Sequence, residues 1–104
     1  MTYNVPRYTI DYMIKSFKCK HTQSLFEGGN PRPFRAFNVI AERKLLMLNK
    51  SVELKDLRSP PGNRLEKLSG TRDGLMSIRI NNQWRICFEW RDNNSHNVEI
   101  VDYH

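Results

Sequence analysis

The clearest periodic pattern in the chain lies between residues 34 and 48. Apolar residues recur there at three- and four-residue steps, which is the spacing of one face of an α-helix. We therefore predict an amphipathic helix over residues 34–48, and a shorter helix over residues 21–26 that is stopped by Gly28 and Gly29. Ser51 is predicted to cap a further short helical turn, with Glu53 in its first turn. The apolar positions of the long helix are Phe37, Ile40, Ala41, Leu45 and Leu48.

The second half of the chain alternates between apolar and polar residues, as half-buried strands do. Asn81 and Asn82 interrupt the alternation and predict a hairpin turn, because asparagine tolerates the positive φ that such turns need. Residues 64–68 predict an edge strand, and residues 13–18 a short strand at the start of the chain. The apolar positions of the alternating strands are Met76, Ile78, Ile80, Trp84, Ile86, Phe88, Trp90, Val98 and Ile100.

This order of elements predicts an α+β domain, in which an N-terminal strand and helices pack on one face of an antiparallel sheet. The length of 104 residues favours a single domain. We assign the domain to residues 13–104 and interpret residues 1–12 as an N-terminal extension, with Met13 as an alternative start. The sheet face opposite the helices is expected to present Arg79, Arg85 and Tyr103. Cations beside an aromatic ring suit RNA, whose phosphates need positive charge and whose unpaired bases need a stacking surface.

The charge of the chain favours a polyanionic partner. Its 17 lysines and arginines exceed its 11 aspartates and glutamates, which gives a formal net charge of +6. RNA, DNA or an acidic protein segment would suit this charge, although a basic surface also serves solubility. Neither a transmembrane span nor a signal peptide is evident, so we expect a cytoplasmic protein that contacts no membrane. Cys19 and Cys87 lack metal-ligand spacing, so we expect reduced thiols, no metal site and no cofactor.

The candidate chemistry rests on a dispersed set of polar residues, because the sequence contains no P-loop, zinc motif or nucleophile elbow. Each part of the set has an ordinary structural interpretation. Arg64, Glu66 and Lys67 would make a surface charge cluster, the arginines of the sheet would face solvent, and His104 would lie on a frayed end. The full set is Arg64, Glu66, Lys67, Arg79, Arg85, Asp102, Tyr103 and His104.

Several separated motifs resemble those of one toxin family, and they occur in the same order along the chain. The opening MIKSFKCKHTQSLFEG (residues 13–28), the stretch SIRINNQWRICF (residues 77–88) and the ending VEIVDYH (residues 98–104) are similar to HigB-type toxins of the RelE/ParE superfamily. The resemblance implies a RelE-like fold and metal-independent, ribosome-dependent endoribonuclease activity on mRNA. It also implies neutralisation by a HigA-type helix-turn-helix antitoxin, through which alone the toxin would meet operator DNA. The implied partners are therefore the antitoxin, the 70S ribosome and mRNA.

The resemblance also implies roles for individual residues. Arg85 matches the arginine that holds the scissile phosphate, and Asp102, Tyr103 and His104 match the C-terminal catalytic group. Glu66 stands where some members carry a catalytic histidine, and a carboxylate does not switch its charge near neutral pH as an imidazole does. Ser69 and Asn81 replace basic residues of some members. Arg64, Lys67 and Arg79 would then supply the positive charge that binds RNA, and Glu66 remains an alternative base to His104.

Two other functions stay open on the sequence alone. A ParE-like toxin shares the general fold and poisons DNA gyrase by binding it, which would need no acid–base group at the C-terminus. A non-catalytic module that binds RNA or the ribosome would tolerate the departures at Glu66 and Ser69.

Overall fold

The computed structural model describes residues 12–68 and 74–102. Two α-helices come first and a four-stranded sheet follows, with short 3₁₀ turns between them. In this part of the chain, no helix is long and apolar enough to cross a bilayer. The elements are α1 (Lys20–Phe26), a 3₁₀ turn (Arg32–Phe37), α2 (Asn38–Lys50), two further 3₁₀ turns (Leu54–Arg58 and Pro61–Asn63), β1 (Glu66–Lys67), β2 (Leu75–Arg79), β3 (Trp84–Arg91) and β4 (Asn94–Asp102).

The sheet confirms the predicted α+β architecture. Its strands lie in the order β1-β2-β3-β4 and every neighbouring pair is antiparallel. The predicted N-terminal strand is reduced to two isolated parallel bridges, which join Ile14 to Ser95 and Phe17 to Val98. The segment therefore lies along β4 and places α1 and α2 beside the sheet.

The core lies between α2 and one face of the sheet. Ala41, Leu45 and Leu48 on α2 are fully buried, as the periodicity predicts, and Ile86 and Phe88 are fully buried on β3. Each large apolar side chain buried here contributes roughly 1.5–3 kcal/mol to stability. Ile40 was expected on the same helical face, but it is 43% exposed, because it lies at the margin of that face next to the exposed Val39.

The long helix begins later than predicted. α2 starts at Asn38, and the four predicted residues before it belong to a 3₁₀ turn. Pro33 fixes its own φ and lacks an N–H donor, so the chain closes an i→i+3 hydrogen bond from the Phe34 N–H to the Pro31 carbonyl (3.1 Å). The turn brings the Phe37 ring within 5.0 Å of the Trp84 ring, which closes one end of the core.

Two predicted turns use different chemistry from that expected. Ser51 does not cap the turn that follows α2; its hydroxyl donates to the Met47 carbonyl (2.9 Å), and Glu53 is the N-cap, in a capping box with Asp56. Asn81 does not adopt a positive φ; its side-chain oxygen accepts the N–H groups of Gln83 and Trp84, both at 2.8 Å. Asparagine therefore suits this turn because its side chain accepts backbone hydrogen bonds, and not because it tolerates a left-handed backbone.

Candidate active site

Arg85 is the most firmly held charged side chain of the predicted set. It lies on β3 and only 7% of the residue is exposed. Its Nε donates a hydrogen bond to the Ser77 hydroxyl (2.8 Å), and its Nη2 donates to the Arg64 carbonyl (2.6 Å). A guanidinium with these fixed acceptors has little rotational freedom, so the fold has already oriented it.

The register of the sheet brings these groups together. Ser77 pairs with Cys87 and Arg79 pairs with Arg85, so Ser77 and Arg85 are diagonal neighbours on one face of β2 and β3. The Arg64 carbonyl comes from outside the sheet. Arg64 ends the last 3₁₀ turn in a left-handed conformation (φ 43°, ψ 57°), a conformation that costs a non-glycine residue roughly 1–2 kcal/mol.

Glu66 lies beside Arg85 but is held loosely. It pairs with Ser77 from the edge strand β1, and its Oε1 is 3.9 Å from the Arg85 Nη2. The Glu66 side chain is 53% exposed, whereas that of Arg85 is 9% exposed. At this separation the two groups form an ion pair without a short hydrogen bond, and such exposed pairs are weak. An incoming anion can therefore displace the carboxylate from the arginine.

A basic cleft of about 440 Å³ opens next to β1. Arg64 and Lys67, both predicted to bind RNA, line it together with Arg58, which the sequence analysis did not select. Lys67 is exposed and pairs with Met76 on β2. The cleft thus collects cations from a 3₁₀ turn, a loop and an edge strand. Alternation puts Lys67 and Met76 on the opposite face of the sheet from Glu66 and Ser77, so the cleft meets the Arg85–Glu66 pair through Arg64.

The other predicted residues lie near the far end of β2 and β4. Arg79 pairs directly with Arg85 and donates to the side-chain oxygen of Asn82. Asp102 pairs with Trp84 and accepts a hydrogen bond from the Gln83 amide (3.0 Å). Alternation along β4 puts Asp102 on the opposite face from Val101, the residue that pairs with Arg85. The predicted residues Ser69, Tyr103 and His104, and nearly all of the predicted extension 1–12, lie outside the described residues.

Cys87 lies on the same face as Ser77 and is not a reactive nucleophile. Burial, together with the nearby Glu99 carboxylate, raises the pKa of the Cys87 thiol to about 11. The thiol is therefore uncharged at neutral pH. Residues 12–68 and 74–102 contain no cluster of three or more side chains suited to hold a metal ion.

Sequence reasoning missed the groups that position Arg85. Ser77 reads as a small polar residue on an alternating strand, and only the register with β3 identifies it as the acceptor. The Arg64 contact is made by a backbone carbonyl, which no side-chain pattern can reveal. Arg58 had a weak signal, as a basic residue two positions before Pro60 in a predicted break.

Comparison with known proteins matches most of the chain to one family. Residues 15–104 match the family model described as the RelE-like toxin of type II toxin–antitoxin system HigB. Toxin HigB-1 of Vibrio cholerae is 50% identical over 50 residues, which cover 48% of this chain and 53% of that protein. An uncharacterised protein of Haemophilus influenzae is 34% identical over 90 residues (86% of this chain, 82% of that one). Endoribonuclease HigB of Proteus vulgaris is 33% identical over 94 residues (88% and 100%).

Proposed function

Because the chain belongs to the HigB family of RelE-like toxins of type II toxin–antitoxin systems, we propose that it is an endoribonuclease that cleaves mRNA on the ribosome and so stops translation. One observation carries the proposal: the oriented Arg85 guanidinium lies beside the half-exposed Glu66 carboxylate and donates to the carbonyl of Arg64, a residue that lines a basic cleft. The name of the Proteus vulgaris relative, Endoribonuclease HigB, supports the reaction type.

The chemistry is an attack of the ribose 2′-oxygen on the adjacent phosphorus. The 2′-OH loses its proton to a base, the new bond to phosphorus forms, and the bond from phosphorus to the 5′-oxygen breaks. An acid protonates that leaving oxygen. The products are a 2′,3′-cyclic phosphate end and a 5′-hydroxyl end. Negative charge builds on the phosphate oxygens in the transition state, so a fixed cation stabilises it.

Arg85 is the residue we assign to the phosphate. A planar guanidinium can donate to two phosphate oxygens, and its orientation by Ser77 and Arg64 reduces the entropy lost when it does so. Lys67, Arg79 and the Arg64 side chain bind neighbouring phosphates of the RNA strand. Such contacts give affinity for RNA without reading its sequence.

Glu66 is our candidate for the base that takes the 2′-OH proton. Its carboxylate is next to the phosphate-binding arginine, and its exposed position lets an RNA strand reach it. His104 then donates a proton to the leaving oxygen, Asp102 orients His104, and Tyr103 stacks on a base or donates a hydrogen bond. This division gives each proton transfer its own group.

The ribosome supplies what these residues lack. Acid–base catalysis contributes roughly 10²–10⁴ in rate, which is modest for a reaction as slow as RNA cleavage. A ribosome that holds the mRNA with its 2′-oxygen in line with the leaving oxygen would contribute the remaining acceleration through orientation. We therefore expect free RNA to be cut poorly. In the cell, a HigA-type antitoxin would neutralise the toxin in the cytoplasm, and operator DNA would be bound through the antitoxin alone.

The proposal is tested by in vitro translation of a defined mRNA on purified 70S ribosomes. Primer extension maps new 5′ ends with the protein, without it, and on the same mRNA free of ribosomes. Arg85→Ala and Arg85→Lys serve as variants, since lysine keeps the charge but loses the two-pronged geometry.

We expect new ends within codons at the decoding site, ends that carry 5′-hydroxyls, and none on free RNA. Arg85→Ala should abolish them, and Arg85→Lys should recover a small fraction of the cleavage. Folded wild-type protein that produces no new ends would overturn the nuclease assignment. Translation arrest by the Arg85→Ala protein would then identify a binding inhibitor, and inhibited DNA supercoiling would identify a gyrase poison.

A further inference from the structure

The orientation of Arg85 depends on a backbone carbonyl that is itself held in a strained conformation. The Arg64 carbonyl accepts from the Arg85 Nη2 at 2.6 Å, whereas the approach of the same Nη2 to the Ser77 carbonyl is longer, at 3.4 Å. Arg64 has a φ of 43° and a ψ of 57°, a left-handed region that residues other than glycine rarely adopt. Such a conformation persists only where its surroundings hold it. The position of the carbonyl therefore has to be explained by the residues around it.

Asn63, the residue before Arg64, is fully buried, and its side chain is held from two elements. Its Oδ1 accepts a hydrogen bond from the Lys44 ammonium on α2. Its Nδ2 donates to the Leu57 carbonyl (3.1 Å), in the 3₁₀ turn that follows α2, and contacts the Met47 sulfur (3.1 Å) on α2. The side chain thus fastens the end of the last 3₁₀ turn to α2 and to the turn before it.

A carboxamide suits both sides of this buried position, where neither a carboxylate nor an apolar group would. The Lys44 ammonium can only donate, so it must face an oxygen, and the Leu57 carbonyl can only accept, so it must face an N–H. Aspartate at position 63 would set an oxygen against the Leu57 carbonyl oxygen. An apolar side chain would leave that carbonyl without its donor, which is costly in a buried place.

The Arg64 carbonyl lies between two anchored points of the chain. Before it, the Asn63 N–H donates to the Pro60 carbonyl (2.9 Å), so both the backbone and the side chain of Asn63 are fixed. After it, the chain enters β1, where Glu66 pairs with Ser77. The sheet therefore holds one side of the Arg64 peptide, and Asn63 holds the other.

We propose that Asn63 is a positioning residue for the cleavage reaction: it holds the Arg64 carbonyl in the place from which that carbonyl aligns the Arg85 guanidinium with the scissile phosphate. The inference rests on the proposed function. Asn63 is too deeply buried to touch RNA, so it acts through the Arg64 backbone. If Asn63 is removed, the Nε of Arg85 keeps the Ser77 hydroxyl as its acceptor (2.8 Å), while the Nη2 end of the fork is released.

The test compares full-length variants that loosen this support with a matched asparagine elsewhere. Asn63→Ala removes every side-chain contact, and Asn63→Asp keeps the oxygen for Lys44 but loses both donors. Asn49→Ala is the control, because Asn49 also lies on α2 and also accepts backbone hydrogen bonds, from Met13 (3.0 Å) and Ile14 (3.1 Å). Thermal unfolding checks that each variant is folded at the assay temperature.

A third variant keeps the inference testable if both substitutions of Asn63 prevent folding. Lys44→Met removes one contact of Asn63 from a partly exposed position and leaves the other two in place. It should loosen Arg85 in the same direction and to a smaller extent.

The first readout is NMR of the isotope-labelled protein without ribosomes. The side-chain N–H signals of Arg85 are assigned by their absence from Arg85→Lys. The wild type and Asn49→Ala should show separate, restrained Nη signals. Asn63→Ala and Asn63→Asp should lose them through faster rotation and exchange, whereas the Nε–H signal, which depends on Ser77, should persist.

The second readout separates kcat from KM on ribosomes that carry mRNA. A misplacement of about 1 Å can cost about 10²-fold in rate, so kcat should fall by up to about 10²-fold in Asn63→Ala. The KM should stay unchanged, because the alignment of the guanidinium matters in the transition state and Asn63 makes no contact with RNA. Asn49→Ala should keep both constants near those of the wild type.

Three results would overturn the inference. The first is a folded Asn63→Ala protein whose Arg85 Nη signals match those of the wild type. The second is a loss of kcat no larger than that of Asn49→Ala, and the third is a defect confined to KM. The NMR measurement needs no cleavage. Loosened Nη signals in variants of a protein that never cuts mRNA would refute the proposed function and leave the support of Arg85 by Asn63 standing.

Discussion

Replacing Ser77 by alanine should disorder Arg85 without touching any group that contacts RNA. Ser77 is fully buried, and its hydroxyl accepts the Arg85 Nε–H at 2.8 Å. Alanine removes this acceptor and leaves a charged donor buried without it. A hydrogen bond to a charged group contributes roughly 1.5–3 kcal/mol, so the free energy of unfolding should fall by about that amount.

The same free energy of roughly 1.5–3 kcal/mol sets an upper limit on the loss of cleavage rate. If all of the 1.5–3 kcal/mol oriented Arg85 toward the transition state, the rate would fall by roughly 10–150-fold, since each 1.36 kcal/mol is a factor of ten. Unfolding in urea gives the stability term, and single-turnover cleavage on ribosomes that carry mRNA gives the kinetic term. Ser95→Ala is the matched control, because Ser95 is equally buried on β4 and its hydroxyl makes only a long contact (3.4 Å) with the Met13 carbonyl.

A double-mutant cycle decides whether the hydrogen bond is the cause. In an Arg85→Met background the Ser77 hydroxyl has no charged donor from which to accept a hydrogen bond, so Ser77→Ala should cost much less stability than in the wild type. An equal cost in both backgrounds would refute the reasoning. So would a Ser77→Ala enzyme that is destabilised yet cuts mRNA at the wild-type rate.

Further predictions concern the base, a thiol and the core. Glu66→Gln should slow single-turnover cleavage by about 10²–10⁴ while changing stability by less than about 1 kcal/mol, because its ion pair is exposed; activity within a few-fold of wild type would exclude Glu66 as the base. Iodoacetamide at pH 8 should leave Cys87 unmodified in the folded protein and modify it in guanidinium, because burial in the fold raises the pKa of the thiol to about 11. Mass spectrometry measures the modification, and equal modification of the folded and unfolded protein would contradict the prediction. The neutral thiol also stabilises the fold below its unfolded pKa, so relative to Cys87→Ala this contribution should be lost as the pH rises from 9 to about 11. Leu45→Ala should lower the free energy of unfolding in urea by about 2–5 kcal/mol, and Leu46→Ala, at an exposed position, should lower it by far less. Similar losses for the two variants would contradict the observed burial of Leu45 on α2.

The sequence predicted burial correctly where apolar residues recur at the spacing of one face of a helix or a strand. Leu45 and Leu48 follow the helical period and are fully buried, and Ile86 and Phe88 follow the strand period and are fully buried. The burial of these positions follows from the pattern of nearby residues along the chain, and a single sequence contains that pattern. The α+β architecture follows from their order and is confirmed.

Sequence reasoning failed where two elements distant in the chain determine a position together. Ser77 receives its role from the register with β3, and the Arg64 carbonyl receives its role from a left-handed backbone at the end of a 3₁₀ turn. The Lys44 ammonium likewise donates to the side-chain oxygen of Asn63, a partner 19 residues away that no local pattern identifies. The parts of the site that bear charge were therefore predictable by residue type, whereas the parts that orient the charge were not.

The arrangement of the site also limits the source of its selectivity. Arg64, Lys67 and Arg85 are all cations suited to phosphate, and phosphate contacts carry no base sequence. Arg85 is fixed by Ser77 and Arg64 before any ligand enters, so it cannot discriminate between substrates through a closing movement of its own. If the proposed function is right, the choice of cleavage position must then come from how the ribosome presents the mRNA and from side chains that contact bases. We accordingly expect Lys67→Gln to change how much mRNA is cut at limiting ribosome concentration, and to leave the pattern of cut positions unchanged.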